Sequence, residues 1–247
     1  MTDRLHMVSA ELAMDSMLAL ARRRRLPLRE TDTGYFVHIQ LKELFGENAP
    51  EPFAVRENHG RMLRVLGYSS LDSTALKEQA EKYADPSVYA SCDWRSLASK
   101  PMPADWIEGQ QFGFELRACP VVRMALDSEK HRKGAEVDVF LRRCWEVADP
   151  GKRVERGEVY REWLASHLDR NGGAKLVDFR MTGFIRQKLL RRRHVSDRRS
   201  CSIERPDATF RGVLEVDDPE SFAELMKRGI GRHRAFGFGM LLLKPLS

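Results

Sequence analysis

The chain has 247 residues, 42% hydrophobic and 32% charged, which suits one large or two small folded domains and excludes a disordered polymer. A formal charge of +6 and a pI near 9.2 favour a polyanionic partner. No stretch approaches the roughly 18 apolar residues of a membrane span, and the arginines follow the first apolar segment, the wrong order for a secretory signal. No membrane partner is expected. Cys92, Cys119, Cys144 and Cys201 are scattered without a CxxC pair, and the seven histidines lack metal-ligand spacing. Reduced, packing cysteines of a cytoplasmic protein are expected, with no metal and no cofactor.

Residues Leu5 to Met14 predict a first strand on Val8, Ala10 and Leu12. A short helix from Asp15 carries Met17, Leu18 and Leu20 before four arginines, Arg22, Arg23, Arg24 and Arg25, and Pro27 is expected to end it. A better signalled helix follows, capped by Thr31 or Asp32 and closed by Gly46. Val37, Leu41, Leu44 and Phe45 follow the spacing of its buried face. Tyr35, His38 and Lys42 fall together on another face. Phe53 to Asn58 and Arg61 to Tyr68, joined around His59-Gly60, predict a hairpin, and Asp72 or Ser73 caps a helix running to about Tyr83. Lys100-Pro101-Met102-Pro103 cannot continue a helix, and the domain boundary is placed there, giving units 1–103 and 104–247.

The second unit opens on an alternating strand, Phe112 to Ala118. The charged stretch 127–155 should hold a helix near Val137 to Trp145. Tyr160, Trp163, Leu164, His167 and Leu168 mark an amphipathic helix stopping at Gly172-Gly173. A strand at Lys175 to Met181, an arginine-rich stretch, a strand at Thr209 to Val216, and a helix capped by Asp218 with Pro219 at its first position come next. Phe222, Leu225 and Met226 face the core. The order is β-α-β-β-α-β, and the first half shows a looser form of it. The fold class expected is α+β: two tandem ferredoxin-like (RRM- or RAMP-like) domains.

The chain closes on GIGRHRAFGFGMLLL, Gly229 to Leu243, with four glycines and three basic side chains before a strand. Successive exposed N–H groups in such a loop form a concavity suited to a phosphate. Gly229, Gly231, Gly237 and Gly239 would give close approach, and Arg232 and Arg234 charge. Residues 184–199, FIRQKLLRRRHVSDRR, are the second basic element. Arg186, Lys188, Arg191, Arg192, Arg193, Arg198 and Arg199 do not fall on one helical face, so an exposed finger or loop fits better than a core helix. In A-form RNA such a finger reads phosphates and shape rather than base edges.

The tail RPDATFRGVLEVDDPESFAELMKRGIGRHRAFGFGMLLLKPL resembles the C-terminus of the CasE-type CRISPR RNA-processing endoribonucleases of the RAMP superfamily. FGFELRACPVVRM is similar to the strand that opens that family's second domain. YFVHIQLKELF resembles its helix with a catalytic tyrosine and histidine, here Tyr35 and His38. The sequence before the histidine helix and the insertion at 183–200 depart from the family pattern, as in a divergent branch such as a type IV CRISPR system.

The resemblance implies metal-independent cleavage of a CRISPR repeat stem-loop at its base, leaving 2′,3′-cyclic phosphate and 5′-OH ends. It implies mature crRNA as the retained product, and other subunits of a CRISPR effector complex as partners. His38 would be general base or acid. Tyr35 would orient the 2′-OH, and Lys42, Arg23 or Arg234 would meet the phosphate. The alternative is a subunit that holds an RNA hairpin without cutting it.

Overall fold

A computed structural model describes residues 4–26, 32–56, 60–127, 131–147, 153–170, 172–192 and 200–246. The elements of the first half are β1 (His6–Ala13), α1 (Met14–Arg23), α2 (Thr33–Phe45), β2 (Phe53–Arg56), β3 (Met62–Ser69), α3 (Ser73–Tyr83), α4 (Pro86–Tyr89) and β4 (Ala98–Pro101). Those of the second are β5 (Gln111–Ala118), β6 (Val121–Arg123), β7 (Glu136–Asp138), α5 (Val139–Glu146), α6 (Arg156–Asp169), β8 (Ala174–Arg192), β9 (Ser200–Val216), α7 (Pro219–Arg228) and β10 (Leu241–Pro245).

The two four-stranded sheets are antiparallel, ordered β2-β3-β1-β4 and β10-β5-β9-β8. Counted within each half, both have strand order 4-1-3-2, which a β-α-β-β-α-β chain takes when its first and third strands pair at the centre. The fold is thus the expected pair of ferredoxin-like units. Alternation builds each sheet: Val8, Ala10 and Leu12 of β1 are buried and their neighbours half-buried. The helices cover one face of each sheet. Phe36, Val37, Leu41, Leu44 and Phe45 of α2 pack in the first core, and Phe222, Leu225 and Met226 of α7 in the second.

The cores meet at a seam. Tyr68 of β3 is buried among second-half residues, and its hydroxyl donates to the Leu241 carbonyl of β10 at 2.8 Å. Burial pushes its phenol well above the ordinary range. Beside it the buried Glu115 accepts from Arg56 of β2 at 2.5 Å and from Arg211 of β9 at 2.8 Å.

Several expectations need correcting. The segment around Lys100-Pro101 is a strand: β4 pairs Met7 with Lys100 and His6 with Pro101. Proline is tolerated there because β4 is an edge. The first helix ends at Arg23 rather than near Pro27, and the chain turns at Arg25, where φ is 53°. Pro27, Thr31 and His59 lie outside the described residues, and Asp32 takes the cap of α2. The arginine-rich stretch begins as strand. β8 and β9 stay paired from Ala174 opposite Val216 to Arg192 opposite Ser200. Arg193, Arg198 and Arg199 lie outside the described residues. Among the described residues, no helix is long and apolar enough to cross a membrane.

Candidate functional site

Helix α2 begins where Asp32 accepts from the Gly34 amide at 2.8 Å, and ends at Gly46 with φ 56°. This fixes the direction of its Tyr35, His38 and Lys42 face. The rings of Tyr35 and His38 stack with centroids 6.2 Å apart. Tyr35 also stacks on Phe236 at 5.2 Å. Phe236 belongs to a short 3-10 turn, Arg234–Phe236, inside the glycine-rich loop. Tertiary structure therefore brings together two motifs from opposite ends of the chain.

Burial lowers the pKa of His38, opposed by the charge of Glu51 and reinforced by that of Lys42. The shift favours the neutral imidazole, the form able to accept a proton. Pro52 lies against Gly229, so the turn carrying Glu51 joins α2 to the glycine loop.

The loop's four glycines all have positive φ, between 71° and 88°. Their close neighbours are protein. A Cβ on Gly229 would sit 2.7 Å from the Gly239 carbonyl, which itself accepts from the Ile230 amide at 2.9 Å. The glycines close the loop on itself and onto Pro52, Phe53 and Trp163. Arg232 is tied to Glu136 at 2.6 Å, and His233 bonds the same carboxylate at 2.9 Å. Held chiefly by His233, and by Arg232 against the opposing effect of burial, Glu136 is lowered to about 2. Arg234 donates to the Arg228 carbonyl at 2.5 Å, at the end of α7.

The four arginines that close α1 and follow it are exposed. Arg24 pairs with Glu43 of α2, and the charge of Arg23 acts on Asp85. On the ribbon, Arg186 and Lys188 are exposed opposite Pro206 and Glu204. Arg191 and Arg192 continue β8 toward its end. Among the described residues, no three His, Cys, Asp or Glu side chains come together as a metal site.

Sequence reasoning missed two parts of the site. One is Gly34, whose added Cβ would fall inside the Phe236 carbonyl. In an isolated helix Gly→Ala is stabilising by about 1 kcal/mol. Here Gly34→Ala is expected to overpack the contact and cost roughly 1–3 kcal/mol, lowering Tm by about 2–12 °C. A thermal melt in which the alanine variant is as stable as the parent would contradict this close approach.

The other is a buried charge network. Arg117 of β5 holds Asp207 of β9 at 2.7 Å, Gln187 of β8 at 2.8 Å and the Phe236 carbonyl at 3.3 Å. Asp32 lies 3.9 Å from Arg117 and accepts from Gln187. Burial raises the pKa of Asp32, only partly opposed by Arg117 and the Gly34 amide. Arg117 also covers the Phe238 ring at 4.3 Å. One guanidinium thus joins the cap of α2, the root of the ribbon and the glycine loop.

The CRISPR-associated endoribonuclease Cse3 of Thermus thermophilus is 25% identical over 198 residues, 78% of this chain and 83% of that protein. A structure of a CRISPR endoribonuclease Cse3 bound to a 19-nucleotide RNA superposes with TM-score 0.62 at 21% identity, covering 98% of this chain and 100% of the other. The CRISPR-associated protein Cas6e of Escherichia coli K-12 gives TM-score 0.60 at 21% identity, with the same coverage. These likenesses agree with the paired ferredoxin-like fold. A family model described as CRISPR associated protein matches residues 16–245, nearly the whole chain. With the motifs at its ends and middle in agreement, the chain belongs to the CRISPR associated protein family.

Proposed function

We propose that this chain is a metal-independent endoribonuclease that cuts CRISPR repeat RNA at the base of a stem-loop and keeps the mature crRNA. The observation that carries the reading is the stack of Tyr35 on Phe236, which seats the histidine face of α2 against the glycine loop. Endoribonuclease activity is in the name of the Thermus relative, and a similar Cse3 structure holds RNA.

The 2′-OH proton passes to His38 as the 2′ oxygen bonds to phosphorus. The bond from phosphorus to the 5′ oxygen then breaks, and that oxygen takes a proton, leaving 2′,3′-cyclic phosphate and 5′-OH ends. Neutral His38 suits the base. Tyr35 orients the 2′-OH. Lys42, whose charge reaches His38, stabilises the phosphorane and donates to the leaving oxygen in this reading. Arg23 and the loop arginines Arg232 and Arg234 add positive charge around the phosphates. In this reading residues 1–103 carry the histidine helix, and residues 104–247 grip the stem with the basic ribbon and glycine loop. The protein works in the cytoplasm as a subunit of a CRISPR effector complex.

The test is cleavage of a panel of RNA stem-loops in excess EDTA, with product ends identified. Cyclic phosphate and 5′-OH ends, abolished by a 2′-deoxy at the cut, are expected. Tight binding with no cut would leave a hairpin-holding subunit, and activity only with added divalent metal would refute metal independence. The ribbon has its own test: removing the charges of Arg191, Arg192 and Arg193 should weaken stem-loop binding and lower the salt slope by about 1 or less per residue. Unchanged affinity and slope would remove the ribbon from the interface.

A further inference from the structure

Beside the glycine loop lies a groove of about 820 Å³ between β6, α5, α6 and α7. It shares Gly229, Gly231, Arg232 and Arg234 with the loop. Five further arginines line it: Arg123, Arg142, Arg143, Arg170 and Arg228. Two glutamates are the acidic lining, and each is taken: Glu146 pairs with Arg142 at 2.7 Å, and Glu162 with Arg143 at 2.6 Å. Arg123, Arg170 and Arg228 are exposed and make no ion pair among the described residues. Like charges gathered without counterions repel one another and raise the local concentration of an anion.

Between the charges the walls are apolar, with Val121, Val139 and Ile230. Trp163, 7% exposed, also lines the groove, and its buried indole N–H has no hydrogen-bond partner among the described residues. Apolar walls with a few polar groups suit bases and a sugar-phosphate chain together. The volume is that of a small-ligand cleft, too small for an A-form duplex. The glycine loop forms one wall.

We propose that this groove is a second RNA site, taking the phosphates of a single-stranded segment next to the stem-loop. The assignment of that segment rests on the function proposed above. The groove's preference for single-stranded RNA does not.

The test uses the full chain and two probes, an unstructured oligouridylate and a repeat stem-loop without single-stranded flanks. In the variant Arg123→Gln, Arg170→Gln, Arg228→Gln, oligouridylate binding at low salt should fall about 10–100-fold, and its salt slope by about 2, at roughly 0.7 per phosphate lost. Stem-loop binding should stay within about twofold of the parent. Lysine at the same three positions should restore most of the slope, which a merely misfolded glutamine variant does not explain.

Oligouridylate binding unaffected by the three changes would overturn the proposal. So would polyglutamate competing as well as oligouridylate, which would make the groove a general anion surface. If the parent binds no stem-loop yet binds oligouridylate through these arginines, the proposed function fails and the groove site stands.

Discussion

Replacing His38 with alanine is expected to slow cleavage by roughly 10²–10⁴-fold while leaving stem-loop affinity within about twofold. His38 is half-buried on α2 with its ring on Tyr35, and no buried polar partner among the described residues loses a bond when it goes. The loss should therefore fall on the chemical step. The pH profile separates a base from an acid. Burial lowers the pKa of His38, so its proton leaves below the ordinary histidine range. As a base it gives a rate that is flat near pH 7 and falls as pH drops through the lowered value. Single-turnover rates between about pH 5 and 8 read this directly. A His38→Ala variant that cuts at the parental rate would show that another group performs the proton transfer, and a rate that rises on acidification would make His38 the acid.

Arg117→Ala should have the largest effect on stability, about 3–5 kcal/mol, because it strands two carboxylates with little solvent to replace the guanidinium. For a chain of this size that lowers Tm by roughly 6–20 °C. The pH dependence carries a sign. Asp32 has a raised pKa already, and losing Arg117 removes the charge that opposes burial. The folded variant then binds a proton at Asp32 more tightly than the unfolded chain does. That contribution is present at pH below the unfolded carboxylate range and is lost as pH rises through the folded pKa. The defect relative to the parent should thus shrink on acidification. Denaturant melts at two pH values would measure it. A defect that grows in acid would mean that Asp32 is not the stranded group.

Much of the fold was legible because the strands at the sheet centres alternate and the main helices carry recognisable caps. Asp32, Asp72 and Asp218 all accept from backbone amides at the starts they mark. What escaped lacks such a pattern. β4 is a four-residue edge strand with no fully buried residue, and its proline read as a breaker. β6 and β7 have three residues each, too short for a period. The ribbon hid its pairing because Ile185, Arg186 and Lys188 are all exposed, so no apolar face announces a strand.

Of the site, Tyr35, His38 and the glycine loop stood out locally. Arg117, Gln187 and Asp207 did not, because their partnership exists only after three strands and the start of α2 meet. One signal was available: Glu115 and Arg117 are charges two apart in an otherwise apolar alternating strand, hence on one face of the sheet.

The register of β8 and β9 has a mechanical consequence. β5 supports β9 only as far as Ala118 opposite Ala208. Beyond that point, from Ile185 opposite Asp207 outward, two strands continue together with no third strand among the described residues. A two-stranded ribbon is marginal by itself, so whatever clamps its outer part also stabilises its fold by mass action. Its root residues, Gln187 and Asp207, are the ones bound to Arg117 and the cap of α2. The base of the ribbon and the first turn of the histidine helix therefore share one set of hydrogen bonds.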